Sequence, residues 1–308
     1  MRPPRRDFAS EVTLPDGRTL AYAEYGDLEG APVLSFHGTP GSRVSASVAR
    51  ETMTRAGVRL IAPERPGFGH SEYTPDWSFA DWADDVAALT DALGVAEYGV
   101  VGVAAGGPYA LGCAAHTPER VTRCAVVSGV PPPKVAREET TRFDRALFSL
   151  ARWSPHLGRP LAWLLRRRIR DADRFTDVVG DPTDGDLSDP RFGETGRILL
   201  SDLREGVKQG SLHVATDYGV LASPWDFELL DVGAPTRVYH GGTDETVPLA
   251  AAEHVAHHVT DAELVVYEDE GHRRPPVEHA ADVYGWAAGV AEESDDGERP
   301  AKKGAADD

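Results

Sequence analysis

Tyr98-Gly99-Val100-Val101-Gly102-Val103-Ala104-Ala105-Gly106-Gly107-Pro108-Tyr109-Ala110 is the stretch on which the reading of this chain turns. Its first half, Tyr98–Val103, is an apolar run suited to a strand buried on both faces, and Gly107–His116 has the composition of a packed helix. Between them stand Gly102 and Gly106, two residues before and two after Ala104. Glycines at that spacing make room for a sharp strand-to-helix turn, the setting in which Gly-x-Ser-x-Gly presents a nucleophilic serine. Alanine has no heteroatom, and no serine, cysteine or aspartate lies within the turn to replace it. On its own the stretch reads equally well as a generic tight turn. Residues 98–115 carry no charge and match a membrane span in length, but their glycines and proline favour a buried strand, turn and helix.

Outward from this turn, strand and helix patterns alternate. Glu11–Leu14 and Thr19–Tyr25 flank Pro15-Asp16-Gly17-Arg18, whose Asp-Gly pair predicts a hairpin. Strands are expected at Pro32–Phe36, Val58–Ala62, Tyr98–Val103 and Thr122–Ser128, with helices at Ser42–Ala56, Phe79–Leu93 and Gly107–His116. The rhythm breaks over residues 134–230, where helical stretches (Glu138–Trp153, Pro160–Arg170, Arg197–Gln209) accompany a Gly/Asp/Pro-rich loop, Gly180–Pro190. It resumes with strand Thr236–His240, helix Leu249–His258, strand Glu263–Tyr267 and helix Ala280–Gly289. Alternation of this kind predicts an α/β fold: a mostly parallel, doubly wound sheet with an N-terminal hairpin and a helical lid insertion. The expected division is a flexible segment 1–10, a core of 11–133 and 231–290, a lid of 134–230, and a disordered acidic tail of 291–308.

Three further landmarks follow predicted strands, at the ends where open α/β sheets build their sites. His37-Gly38-Thr39-Pro40 follows Phe36. Gly241-Gly242-Thr243-Asp244 follows His240, and a carboxylate there can fix a histidine's tautomer. Glu270-Gly271-His272 follows Tyr267. Each alone is weak, an ordinary loop or cap. Together, positions 104, 244 and 272 stand in the order nucleophile, acid, base.

With these residues the sequence resembles the α/β-hydrolase family over roughly residues 11–290. Glu64-Arg65-Pro66-Gly67-Phe68-Gly69-His70-Ser71, Gly106-Gly107-Pro108-Tyr109-Ala110 and Pro224-Trp225-Asp226-Phe227 add to the likeness. The resemblance implies Asp244 as triad acid, His272 as general base, and the backbone N–H groups of Thr39 and Ala105 as an oxyanion hole. It implies an esterase- or lipase-like serine hydrolase whose nucleophile position is occupied by Ala104. Loss of that serine can cost on the order of 10⁶ in rate, so the chain is expected to be nearly inert towards esters by the covalent route. Two alternatives stay open: a non-catalytic small-molecule binder on the same scaffold, and a nucleophile-independent oxygenase or lyase using His272 as base.

Composition narrows the partners. Among 308 residues, 50 acidic side chains face 32 basic ones, for a formal charge of −18. That charge repels phosphate backbones and anionic lipid, so neither nucleic acid nor membrane is expected as a partner, and a small apolar or ester-type ligand is. It also fits a cytoplasm of high salt, where acidic surfaces stay hydrated. Arg5-Arg6 resembles an export signal, but no apolar stretch follows, and a cytoplasmic location is expected. Cys113 and Cys124 read as small buried hydrophobes. His254, His257 and His258 share a helix face without a zinc-protease pattern, Arg166–Arg168 read as the solvated basic end of a lid helix, and Ser71 and Ser128 read as loop residues. No metal, nucleotide or flavin motif is present, and no cofactor is expected. Oligomeric state is not legible.

Overall fold

Pro15-Asp16-Gly17-Arg18 turns as the Asp-Gly pair requires: Gly17 takes φ +92°, and Leu14 N donates to Arg18 O at 2.8 Å. The computed structural model describes residues 9–135, 142–170, 193–290 and 302–303. The hairpin joins β1 (Ser10–Thr13) to β2 (Thr19–Gly26). Then come β3 (Ala31–Phe36), β4 (Val58–Pro63), β5 (Tyr98–Val103), β6 (Val121–Val127), β7 (Thr236–Gly241), β8 (Ala262–Tyr267) and β9 (Lys302–Lys303).

Their order in the sheet is β1-β2-β4-β3-β5-β6-β7-β8-β9. From β4 to β8 all neighbours are parallel, and β1, β2 and β9 run antiparallel. The chain leaves β3 for β4 on one side and returns to β5 on the other. The switch point therefore lies between β3 and β5, where loops diverge and leave a crevice.

Central strands alternate between two cores. Val100 and Val126 point to the layer of helices Phe79–Ala92, Gly107–His116 and Leu249–His258, beside Trp82, Tyr109 and Val255. Val101 and Val127 point to the opposite layer, beside Met53 of helix Arg50–Arg55 and Val283 of helix Ala280–Ala288. Helix Phe79–Ala92 starts on a capping box in which Ser78 Oγ accepts from Asp81 N and Asp81 Oδ2 accepts from Ser78 N. No helix among the described residues is long and apolar enough to cross a membrane.

Between β6 and β7 the described residues form the long helices Arg142–Trp153, Pro155–Arg170, Glu194–Gly206 and Leu212–Ala222. A third core cluster, containing Leu147, Ala162, Ile169, Val214 and Tyr218, binds them to one another and to Phe68. Several expectations are corrected here. The helix expected from Pro160 begins at Pro155, and Pro160 sits exposed in its second turn. The helix expected at Arg197–Gln209 lies at Glu194–Gly206. Leu212–Ala222 was not expected: nearly all of it is buried, so it has no polar stripe to betray a helical period. The single helix expected over Ser42–Ala56 is a 3₁₀ turn, Ser45–Ala49, followed by Arg50–Arg55. Its first turn is replaced by side-chain bonding, since Ser42 N and Ser45 N both donate to Asp202 Oδ1. Ser10 pairs with Tyr22, and Lys302–Lys303 pair with Val265 and Leu264. The loop Gly180–Pro190, the start of the helix expected from Glu138, and the rest of the tail lie outside the described residues.

Candidate active site

Ala104 has φ +50°, a left-handed conformation that costs a residue with a Cβ about 1–2 kcal/mol. It is the first residue of the 3₁₀ turn Ala104–Gly106 between β5 and helix Gly107–His116. The flanking glycines are sterically required. A Cβ on Gly102 would meet the Gly106 carbonyl, and one on Gly106 would meet the Phe36 carbonyl at the end of β3. Close backbone approach thus fixes the turn, and Val130 N donates to Ala104 O at 3.1 Å to hold the loop after β6 against it.

On the other side of the switch point, β3 runs into His37-Gly38-Thr39. A fully buried guanidinium, Arg65, lies beneath this loop: Nη1 donates to His37 O at 2.5 Å and Nη2 to Gly38 O at 3.1 Å and Thr39 Oγ1 at 2.8 Å. Its counter-charge is Asp217 of helix Leu212–Ala222, also fully buried, 3.1 Å from Nη2 and 3.2 Å from Nε. Tyr109 OH donates to Asp217 Oδ1 at 2.7 Å, Thr39 Oγ1 donates to Asp217 Oδ2, and the Tyr109 ring lies under the guanidinium carbon at 4.5 Å.

The acid and the base come together because two loop backbones do. A Cβ on Gly241 would meet the carbonyls of Glu270 and Gly271, so glycine there lets the loops after β7 and β8 touch. Asp244 Oδ1 accepts from Thr246 N and Val247 N, both at 2.8 Å, and Oδ2 lies 2.8 Å from His272 Nδ1. A carboxylate only accepts, so Nδ1 carries the proton and Nε2 is left as the basic nitrogen. Behind them His240 Nε2 donates to Val247 O at 2.8 Å and lies 3.5 Å from Asp244 Oδ2, and burial pushes its pKa below the usual imidazole value.

Thr39, Ala104, Ala105 and His272 line one cavity of about 710 Å³, its open mouth included. Asp244 stands behind His272. The remaining walls are largely apolar, among them Val130, Phe148, Leu221, Val247 and Ala251, with Tyr218 beside Thr39. Phe148, Tyr218 and Leu221, which belong to the inserted helices, form part of its wall.

Other singled-out residues lie elsewhere. Ser71 Oγ donates to Glu64 O at 2.6 Å, away from the cavity. Ser128 is fully buried in a left-handed conformation after β6. The rings of His254 and His258 lie 4.0 Å apart and tilted by 33° on the outer helix Leu249–His258. Cys113 and Cys124 are free and buried, which pushes both thiols up, Cys124 to about 12. Sequence reasoning missed the pairing of Arg65 with Asp217. The available signal was a lone acid in the otherwise uncharged stretch Val214–Ser223, a group that needs a cationic partner if the stretch is buried.

The chain matches the sequence profile of the alpha/beta hydrolase fold over residues 31–273. It belongs to the α/β-hydrolase fold family. Relatives of this hydrolase-fold chain include a 2-hydroxymuconate semialdehyde hydrolase of Pseudomonas putida, 29 % identical over 261 residues (82 % of this chain, 84 % of the relative). A non-heme chloroperoxidase of Streptomyces lividans is 30 % identical over 276 residues, covering 85 % and 92 % of the two chains. Among solved structures, an esterase from Exiguobacterium antarcticum superimposes with a TM-score of 0.68 at 17 % identity, over 92 % of this hydrolase-fold chain and 99 % of its own. That last likeness speaks for the fold alone.

Proposed function

We propose that this chain has a serine-hydrolase site for esters or related acyl compounds from which the nucleophile is missing, and that it binds such molecules while hydrolysing them barely at all. The observation that carries the reading is the placement of His272, paired with Asp244, on the same cavity wall set as the left-handed Ala104. In this reading the Thr39 and Ala105 N–H groups receive the carbonyl oxygen, His272 Nε2 is the base, and residues 134–230 form a lid over an apolar acyl pocket. The hydrolase name of the Pseudomonas putida relative supports hydrolysis as the reaction of the lineage.

Mechanistically, a serine at 104 would give its proton to His272 Nε2 as its oxygen attacks the carbonyl, and Asp244 would stabilise the imidazolium. Without that oxygen the acid–base pair has nothing to activate, and what is left is binding. The test is hydrolysis of short and medium p-nitrophenyl esters by this chain and by Ala104→Ser, in high salt. Turnover by the serine variant alone supports the reading. Inactivity of both overturns it, and activity of this chain that is lost in His272→Ala points to a nucleophile-independent enzyme.

A further inference from the structure

We propose that Arg65 is the positioning residue of the oxyanion loop and that Asp217 couples it to the inserted helix Leu212–Ala222, so that the loop is competent only while that helix is seated. This rests on the reading of Thr39 as an oxyanion donor. One guanidinium reaches three successive residues: His37 O, Gly38 O and Thr39 Oγ1. The Gly38 carbonyl and the Thr39 N–H belong to one planar trans peptide and point in opposite directions. Drawing the Gly38 oxygen down onto Arg65 therefore turns the Thr39 N–H away from Arg65, on the side where Thr39 lines the cavity.

Arg65 cannot do this unaided. Its other acceptors are neutral, its side chain is fully buried against the rings of Tyr109 and Phe68, and among the described residues Asp217 is the carboxylate that pairs with it. A buried guanidinium without its counter-charge is strongly disfavoured. Asp217 also accepts from Thr39 Oγ1, and its neighbour Tyr218 lines the cavity and donates from its hydroxyl to Thr39 O at 3.4 Å. The inserted helix thus grips Thr39 by its hydroxyl, by its carbonyl and, through Arg65, by the peptide before it.

The experiment uses the Ala104→Ser chain and adds Asp217→Asn. It measures kcat and KM for p-nitrophenyl butyrate and for its thiono analogue, whose C=S accepts hydrogen bonds poorly. Misplacing one oxyanion donor should lower kcat about 10²-fold with KM little changed. It should also cut the oxygen-to-sulfur rate ratio about tenfold, which a general loss of stability would not do. Should Asp217→Asn fail to fold, the double replacement Arg65→Met with Asp217→Leu exchanges the ion pair for apolar side chains that a core accepts. Its kcat and rate ratio should fall in the same way. An unchanged ratio in a folded variant overturns the proposal. If Ala104→Ser is itself inactive, the esterase reading fails, and amide hydrogen exchange over His37–Thr39 decides instead. Faster exchange in Asp217→Asn than in the unaltered chain supports the positioning role, and equal exchange overturns it.

Discussion

His272 and Asp244 meet through Nδ1 and Oδ2 at 2.8 Å although 28 residues separate them, and the second carboxylate oxygen is held by two backbone N–H groups. The pair is therefore oriented before any substrate arrives. In the Ala104→Ser chain, Asp244→Asn should keep the fold and lower kcat/KM by about 10³–10⁴-fold, because an amide favours the wrong tautomer. Stopped-flow or steady-state assays with p-nitrophenyl butyrate measure this directly. A loss of less than tenfold would remove Asp244 from the role of triad acid.

Behind that pair, His240 braces the acid's loop from a fully buried position. Replacing it by leucine leaves the Val247 carbonyl without its donor and should cost about 1–3 kcal/mol, read from urea unfolding at pH 7.5. The pH dependence follows from the lowered pKa. As pH falls through the ordinary imidazole value of 6.5, the unfolded chain takes up a proton that folded His240 resists. The stability it contributes is present above that pH and is lost below it. His240→Leu should therefore lose less stability than the unaltered chain between pH 7 and pH 5, though His37 and His213 carry shifts of the same sign.

Asp202 has the opposite sign. Burial raises its carboxyl to about 7, while Ser42 N, Ser42 Oγ and Ser45 N all donate to Oδ1. Folded Asp202 retains a proton that the unfolded chain releases near pH 4, so its contribution to stability is full below that pH and is lost as pH rises to about 7. Asn offers the same accepting oxygen without the charge. Asp202→Asn should raise Tm at pH 8 and leave it nearly unchanged at pH 4, as followed by thermal melts across that range. Parallel curves would show that the buried carboxyl is not what titrates.

A formal charge of −18 predicts self-repulsion that salt relieves. The melting temperature should rise by several degrees between dilute buffer and molar KCl, and equal stability in the two would count against adaptation to high salt.

Much of the sheet could be read in advance because its strands are apolar runs bounded by glycine and proline, and Tyr98–Val103 was placed to the residue. The backbone turns of the candidate site were legible for a related reason: Gly102, Gly106 and Gly241 stand where backbones nearly touch, and steric demand of that kind leaves a mark in sequence. The inserted helices were harder. Leu212–Ala222 is buried on all sides, so periodicity carries no signal there. The first turn expected after Pro40 yields to Asp202, 160 residues away, and Arg65 meets Asp217 across 152 residues. Pairings of that range depend on how the insert docks, which no local pattern encodes.

The bend at Ala104 has a use that does not depend on what the chain does now. Its shape is imposed by Gly102, Gly106 and the carbonyl of Phe36, not by the alanine side chain. Any side chain placed at 104 inherits the same direction into the cavity. A cysteine there would carry a thiol for a covalent probe beside a histidine base, and an aspartate would aim a carboxylate at the same point. Position 104 is in effect a socket, in which the reactive group can be exchanged while the surrounding frame is left as it stands.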